Sequence, residues 1–287
     1  MFQNLSNQQK GSLLAFVGVA FLTPDSLFIR LATIDTWPLL FYRGAIPFLV
    51  VFSGLILIYR SNIFKIFIST GYPGIAYAIT FALTNITFII SIQNTNVANT
   101  LIMVALAPMM SAILALIFLK ENPDKKTWIA IFVTTISVIY IFYDSIQIGN
   151  FFGDIFGFIT ALGLASGAVI IRSAKNRNLV PSAVIGKLIV AIVACFFIQD
   201  IELSGRDLFI VPAMCIICVA IPFVLVTIAP RFITAAEVNL FFLLEVIIGP
   251  IWVWLVIKEQ PSLQTILGGL VIILTIAIHS ILAIKKT

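Results

Sequence analysis

Apolar residues form long runs along the chain, and charged residues, proline, glycine or asparagine separate one run from the next. Ten runs can be delimited, at about residues 11–33, 38–59, 67–92, 97–119, 126–143, 153–173, 183–198, 208–228, 232–257 and 263–284. Most approach the roughly 20 residues that a helix needs to cross a bilayer, whereas a barrel strand would alternate over about 10 residues. The pattern therefore predicts ten transmembrane helices, called segments 1 to 10 in chain order.

The composition agrees with this interpretation. Hydrophobic residues make up 61% of the 287 residues, charged residues only 10%, and the mean hydropathy is +1.15. Soluble domains carry about 25% charged residues. These values exclude a soluble enzyme, a disordered protein and a disulfide-rich secreted domain. Ten helices leave few residues for loops, so we expect the function to lie inside the bilayer.

The basic residues are distributed unevenly between alternate loops. With the N-terminus in the cytoplasm, the inner tails and loops hold twelve basic and two acidic residues, and the outer loops hold two basic and seven acidic residues. Basic residues concentrate on the cytoplasmic side of membrane proteins. We therefore predict a multi-pass membrane protein with both termini in the cytoplasm. The net charge of +5 marks this orientation and does not indicate nucleic-acid binding.

The two halves of the sequence resemble each other. Lys-Glu-Asn-Pro at 120–123, after segment 4, matches Lys-Glu-Gln-Pro at 258–261, after segment 9, and Ile-Arg at 29–30 matches Ile-Arg at 171–172. This predicts two repeats, 1–145 and 146–287. Since each repeat has five segments, the second would enter the membrane in the opposite orientation, as in transporters that expose one site to each side in turn.

Several short motifs identify a family. They are Thr-Asn-Val-Ala-Asn-Thr-Leu at 95–101, Pro108, Leu-Lys-Glu at 119–121, Thr-Ala-Ala-Glu at 234–237, Glu245, Gly-Pro at 249–250, Trp-Val-Trp-Leu at 252–255 and Gly-Gly at 268–269. With these motifs the chain resembles the EamA-type permeases of the drug/metabolite transporter superfamily over nearly its whole length. The resemblance implies an all-α protein of the bacterial inner membrane, with ten helices in two inverted EamA repeats, a central cavity and often export of small metabolites.

Ionisable side chains at membrane depth cost about 2.5–3.5 kcal/mol each on insertion scales, so they mark candidate sites. Glu237, Phe241 and Glu245 are spaced four residues apart and share one face of segment 9. They predict a cavity-facing stripe that binds a cation or carries a proton. The alternative places Glu237 at the headgroup level and packs Glu245 in a hydrogen bond to serine or threonine.

Asp25 follows Pro24 in segment 1, and proline there can break the helix. Asp25 would either help form a substrate or proton site or pair with Arg43 or Arg30 as a buried structural bridge. Arg43 also has two interpretations: it is either a paired or interfacial residue, or a ligand for an anion. Arg30 lies near the outer edge, where it can reach the headgroups.

Neutral polar residues add further candidates. Asn85 at mid-membrane and Asn99 on segment 4 would bind substrate or bridge helices. Glycine pairs four residues apart in segment 6, at 153 and 157 and at 163 and 167, would allow close packing within the chain or a homodimer face. We find no catalytic motif, metal-ligand spacing or cofactor motif and expect no cofactor.

These observations predict a secondary active transporter, an exporter or permease, for a small polar or amphipathic metabolite. The acids suggest a cationic or zwitterionic substrate, or coupling to protons. The expected partners are the small-molecule substrate, the lipid bilayer and, as an open alternative, a second copy of the chain. A membrane-embedded enzyme or a channel-like facilitator is the competing hypothesis.

Overall fold

The structure is a computed structural model, and it describes the backbone of residues 7–120, 125–148, 150–174, 176–229, 232 and 235–284. No strand occurs among these residues. The helices of the first half are α1 (Asn7–Leu22), α2 (Asp25–Leu31), α3 (Thr36–Tyr59), α4 (Ile63–Ser69), α5 (Gly71–Asn94), α6 (Val97–Val104), α7 (Ala107–Leu119) and α8 (Lys125–Ile148). Those of the second half are α9 (Phe151–Ser173), α10 (Val180–Cys195), α11 (Asp207–Ala213), α12 (Ile221–Ile228), α13 (Ala235–Ile257) and α14 (Leu263–Ile284).

Six stretches of helix in the described residues are long and apolar enough to cross a membrane. They are Gln9–Leu31, Thr36–Ser69, Gly71–Asn94, Val97–Leu119, Phe151–Ser173 and Asp207–Ile228. Four shorter apolar helices fall in the remaining predicted segments, at Trp128–Ile141, Val180–Cys195, Leu244–Ile257 and Leu263–Thr275. The chain is thus a multi-pass helical membrane protein, and the count of ten spans stays a prediction.

Segment 1 is broken at Thr23 and Pro24, where α1 ends and α2 begins. Proline lacks an N–H group, so the carbonyl oxygen of Ala20 loses its helical donor at this point. The hydroxyl of Thr23 donates to that oxygen at 3.0 Å instead. A polar backbone atom is thereby satisfied inside an apolar surrounding, and the helix restarts at Asp25.

Two other segments are also irregular. Segment 4 is interrupted at Ala105 and Leu106, between α6 and α7. In segment 8 a π-helical turn, Met214–Ala220, separates α11 from α12, with Pro212 and Pro222 on its two sides. A π-turn inserts one residue more per turn and bends the helix, as prolines do. The prolines of segment 8 predict a kink there, whereas its π-turn and the interruption of segment 4 are findings of the structure.

Helices of the two halves interlock. Helix α5 packs along α9, α3 along α10, α8 along α14 and α1 along α12, and α6 contacts both α9 and α13. The close approach of α9 to α5 depends on its glycines. A Cβ atom on Gly153 would lie 2.5 Å from the backbone of Asn94, and one on Gly163 would lie 2.2 Å from the hydroxyl oxygen of Thr84. These glycines therefore serve packing within the chain.

Large apolar side chains cover the outside of the bundle. Leu57 is 77% exposed, and Phe118 and Phe209 are exposed to a similar degree. Such a surface suits contact with lipid. Two acids depart from the sequence expectation. Asp154 and Asp207 stand at the ends of segments 6 and 8 and are two of the seven acidic residues predicted for the outer loops, but both are fully buried in the first turns of α9 and α11.

Candidate functional site

A cavity of about 720 Å³ lies in the middle of the bundle, between helices of both halves. Helices α3, α5, α7, α9, α10, α12 and α13 and the break between α1 and α2 contribute to its wall. Five charged or amide side chains line its inner part: Asp25, Arg43, Asn85, Lys187 and Glu245. Most of the remaining wall is apolar, with the rings of Phe81, Phe88, Phe223 and Phe242. A volume of this size holds a small organic molecule.

Asp25 and Arg43 form a two-pronged ion pair at one side of the cavity. The Nη1 and Nη2 atoms of Arg43 donate to the two carboxylate oxygens of Asp25 at 2.6 and 2.8 Å. The two residues are 1% and 5% exposed. Parallel hydrogen bonds of this kind are the strongest that arginine makes with a carboxylate. The two charges neutralise each other. Of the alternatives for Asp25, the geometry displays the buried ion pair with Arg43.

Lys187 lies on α10 and is only 1% exposed. Its Nζ atom donates to Oδ1 of Asn85 at 2.5 Å and lies 5.4 Å from the centre of the Phe81 ring. Asn85 is itself oriented, because its Nδ2 group donates to the carbonyl oxygen of Phe81 at 2.7 Å. Both the amide oxygen and the aromatic face favour a positive charge.

Glu245 lies on α13, is 5% exposed and lines the same cavity. Its carboxyl group has no hydrogen-bond or ion-pair partner among the residues that the structure describes. The hydrogen bond to serine or threonine that the sequence left open is therefore not seen there. A buried carboxyl group without a protein partner is costly, so a proton or a ligand is needed to compensate it.

One end of the cavity reaches the surface. Leu119 at the end of α7, Arg172 at the end of α9 and Arg177 in the following loop line it there, and both arginines are exposed. Arg177 also donates to the carbonyl oxygens of Ser69 and Thr70 at 3.3 and 3.0 Å. The cavity is therefore open at the end of the bundle that carries these basic residues.

The opposite end is sealed by polar contacts between the two halves. The closed-end cluster consists of Arg30, Thr95, Asn99, Asp154, Glu259 and Thr265, none of which lines the cavity.

Arg30 and Glu259 are the charged link of this cluster. The Nε atom of Arg30 lies 3.2 Å from Oε2 of Glu259, and Nη2 of Arg30 donates to the carbonyl oxygen of Thr95 at 2.6 Å. The other oxygen of Glu259 accepts the backbone N–H of Val97, at the start of α6, at 2.8 Å. Arg30 is thus ion-paired rather than directed only to the headgroups.

Asp154 is the buried acid of the cluster. It accepts a hydrogen bond from the Thr95 hydroxyl at 2.6 Å and from Nδ2 of Asn99 at 3.3 Å. The Oδ1 atom of Asn99 accepts in turn from the hydroxyl of Thr265 at 2.7 Å. These bonds join α5, α6, α9 and α14 at one level of the bundle.

The structure thus separates the predicted site residues. Asp25, Arg43, Asn85 and Glu245 meet at the cavity, while Asn99 lies in the closed-end cluster.

Of the two other residues of the predicted stripe, only Phe241 has a described side chain, and it does not line the cavity. Phe241 packs edge-on against Phe16, with the ring centres 6.5 Å apart, and its neighbour Phe242 lines the cavity instead. The backbone of Glu237 belongs to α13, but its side chain lies outside the described residues.

Sequence reasoning missed Lys187. The sequence predicts segment 7 at residues 183–198, which puts this lysine near the start of the segment, where a cation commonly reaches the headgroups. The helix begins earlier, at Val180, with Pro181 in its first turn, so that Lys187 lies two turns inside. Proline at the first turn of a helix was the signal that would have located it. No group of three or more potential metal ligands occurs among the described residues.

Comparisons with known proteins give a consistent result. The model of a family described as the EamA-like transporter family matches residues 9–143 and again residues 151–281. A crystal structure described only as that of a protein is similar in fold, with 12% identity, a TM-score of 0.67, and coverage of 96% of this chain and 98% of that one. A search of curated proteins gave no match.

Proposed function

Because the chain belongs to the EamA-like transporter family and is therefore a membrane permease of the drug/metabolite transporter superfamily, we propose that it works by alternating access as a secondary active transporter of a small polar or amphipathic metabolite. One observation carries the proposal. A central cavity between the two halves is open at one end and sealed at the other by the closed-end cluster. In a transporter, such an arrangement corresponds to one of two access states.

The packing supports a duplicated, inverted architecture. In a duplicated chain each segment corresponds to the segment five places away, so segment 3 corresponds to segment 8 and segment 6 to segment 1. The contact of α5 with α9 then corresponds to the contact of α12 with α1, and both contacts occur. The contact of α5 with α10 likewise becomes that of the π-helical turn with α3, and both occur. The pairs α3 with α10, α6 with α13 and α8 with α14 map onto themselves. We propose repeats 1–145 and 146–287, related by a pseudo-two-fold axis.

Corresponding positions of the two proposed repeats also behave alike. Lys120 and Lys258 end α7 and α13 in the same left-handed conformation, with φ of 56° and 63°. Arg30 and Arg172, which correspond in sequence, lie at opposite ends of the cavity axis, one in the closed-end cluster and the other at the open mouth. This is the relation expected if the two ends close in turn with equivalent residues.

The orientation follows from the charge distribution. The open mouth carries Arg172 and Arg177, which belong to a predicted inner loop. We therefore propose that the structure is open to the cytoplasm of a bacterial cell, with both termini on that side. Glu245, buried and without a partner in the described residues, is the proposed coupling residue, because a carboxyl group in that position can take up and release a proton.

Accessibility of the cavity tests alternating access directly. Ser111 lines the cavity on α7, so Ser111→Cys in a variant lacking the three native cysteines supplies one labelling site. A membrane-impermeant maleimide should label it in inside-out vesicles and much more slowly in right-side-out cells. Glu259→Gln removes the ion pair with Arg30 and weakens the bond to Val97, so labelling from the outside should rise several-fold.

Glu202→Gln is the matched control, because it also removes an acid near the closed end but from an exposed position. It should leave labelling from either side unchanged. If Glu259→Gln is labelled no faster from the outside than Glu202→Gln, the closed-end cluster does not hold the barrier and the proposed access cycle is wrong.

A further inference from the structure

The charges around the cavity are not balanced in the way that the sequence suggested. The buried acids led to the expectation of a cationic or zwitterionic substrate. In the structure Asp25 is already neutralised by Arg43, and Lys187 adds a positive charge that had not been counted. No carboxylate oxygen of the described residues lies within 4.0 Å of the Lys187 ammonium.

The ammonium group of Lys187 has unused donors. It carries three N–H bonds, and among the described residues only Oδ1 of Asn85 accepts one of them. A buried cation that lacks an anion and two acceptors is costly, and an anionic ligand relieves both deficits at once. Because Lys187 lines the cavity, a ligand can reach it from the open mouth.

The surroundings restrict which anion fits. The end-on fork of the Arg43 guanidinium, formed by Nη1 and Nη2, is occupied by Asp25. One ammonium with two free donors instead matches a single carboxylate group. The adjoining aromatic walls, including Phe81 and Phe88, favour an apolar body attached to that carboxylate.

We propose that Lys187 and Asn85 form a binding site for the carboxylate group of an organic acid with an apolar body. Lys187 donates to the carboxylate. Asn85 is a positioning residue, since its amide is fixed by the carbonyl oxygen of Phe81 and aims the ammonium group. The inference rests on the proposed function, because it takes the cavity to be where the transported molecule binds.

A matched ligand series tests this site in the purified full-length protein. Phenylacetate, phenylacetamide and phenethylamine share one apolar body and differ in charge, and phenylalanine carries both charged groups. Binding is measured as ligand-induced thermal stabilisation, which follows from mass action, and by isothermal titration calorimetry. We expect phenylacetate or phenylalanine to bind at least tenfold more tightly than phenylacetamide or phenethylamine.

Variants connect the binding to the residue. Lys187→Gln removes a charge-assisted hydrogen bond and should weaken carboxylate binding about tenfold to a hundredfold. Lys187→Arg should retain the preference for carboxylate over amide. Lys65→Gln, which removes an exposed lysine on α4 outside the cavity, should bind as the unmodified protein does.

The outcomes decide between the alternatives. Equal binding of the amide and the acid, preference for the amine, absence of binding by both carboxylates, or full binding by Lys187→Gln would each overturn the site. Should Lys187→Gln fail to fold, the ligand series on the unmodified protein still decides. If the protein shows the Glu259-dependent change in labelling but binds no carboxylate, the carboxylate site is wrong and alternating access stands. If it binds carboxylates but shows no such change in labelling, the carboxylate site stands and alternating access is wrong.

Discussion

Removing both partners of the Asp25–Arg43 pair should destabilise the protein much less than the two single removals added together. The pair has two hydrogen bonds of 2.6 and 2.8 Å, and its side chains are 1% and 6% exposed. Leaving one member of a buried pair without its partner costs about 3–5 kcal/mol. Asp25→Asn, which keeps the shape of the side chain but leaves Arg43 uncompensated, should fall at the lower end because the cavity can admit water.

A double-mutant cycle isolates the effect. Arg43→Met should also destabilise, and the loss for Asp25→Asn combined with Arg43→Met should fall well below the sum of the two single losses, since no buried charge is then left unpaired. The expected interaction free energy is about 2–3 kcal/mol. It is measured by equilibrium unfolding in mixed micelles with increasing dodecyl sulfate, followed by circular dichroism. If the loss in the double variant equals the sum of the single losses, the pair is not a structural unit.

Two further perturbations test other parts of the structure. Gly163→Val should force α9 away from α5, because the added Cβ atom would lie 2.2 Å from the Thr84 hydroxyl oxygen. We expect a loss of about 1–3 kcal/mol in the free energy of unfolding in the same assay. Gly54→Ala, where no atom lies within 4 Å of the added Cβ atom, should not destabilise the protein. Equal losses for the two would show that the contact is not limiting. Glu245→Gln in proteoliposomes should abolish the stimulation of phenylacetate uptake by an imposed pH gradient, since glutamine cannot carry a proton, and retained stimulation would place coupling elsewhere.

The long apolar runs made the helical class of the fold predictable, and Pro24 made the break in segment 1 predictable. Both depend on local properties of the sequence: the helical class depends on the length of the apolar runs, and the break depends on the N–H donor that proline lacks. The π-helical turn between Pro212 and Pro222 could not be predicted, because it depends on how α3 and α12 pack around it. Sequence patterns report the tendency to bend but not the hydrogen-bond register that results.

The candidate site was only partly predictable for a similar reason. The cost of burying a charge singles out Asp25, Arg43 and Glu245 as candidates from the sequence. It does not predict which acid pairs with which base. Asp154 and Asp207 stand at segment ends, which predicts loop charges, whereas Asp207 is buried and accepts hydrogen bonds from the backbone N–H and the hydroxyl of Thr33. Such pairings join residues far apart in the chain, and only the folded structure brings them together.

The link between Lys187 and Asn85 has a consequence for biosynthesis. The two residues are 102 positions apart, so α5 has left the ribosome long before α10 is made. Helix α10 has only 16 residues and carries a buried lysine, which makes it a poor candidate for partitioning into lipid by itself. It packs along α3 and α5, which are already in the membrane when it emerges. Replacing Asn85 should therefore lower the yield of membrane-inserted protein, an effect that arises during synthesis rather than transport.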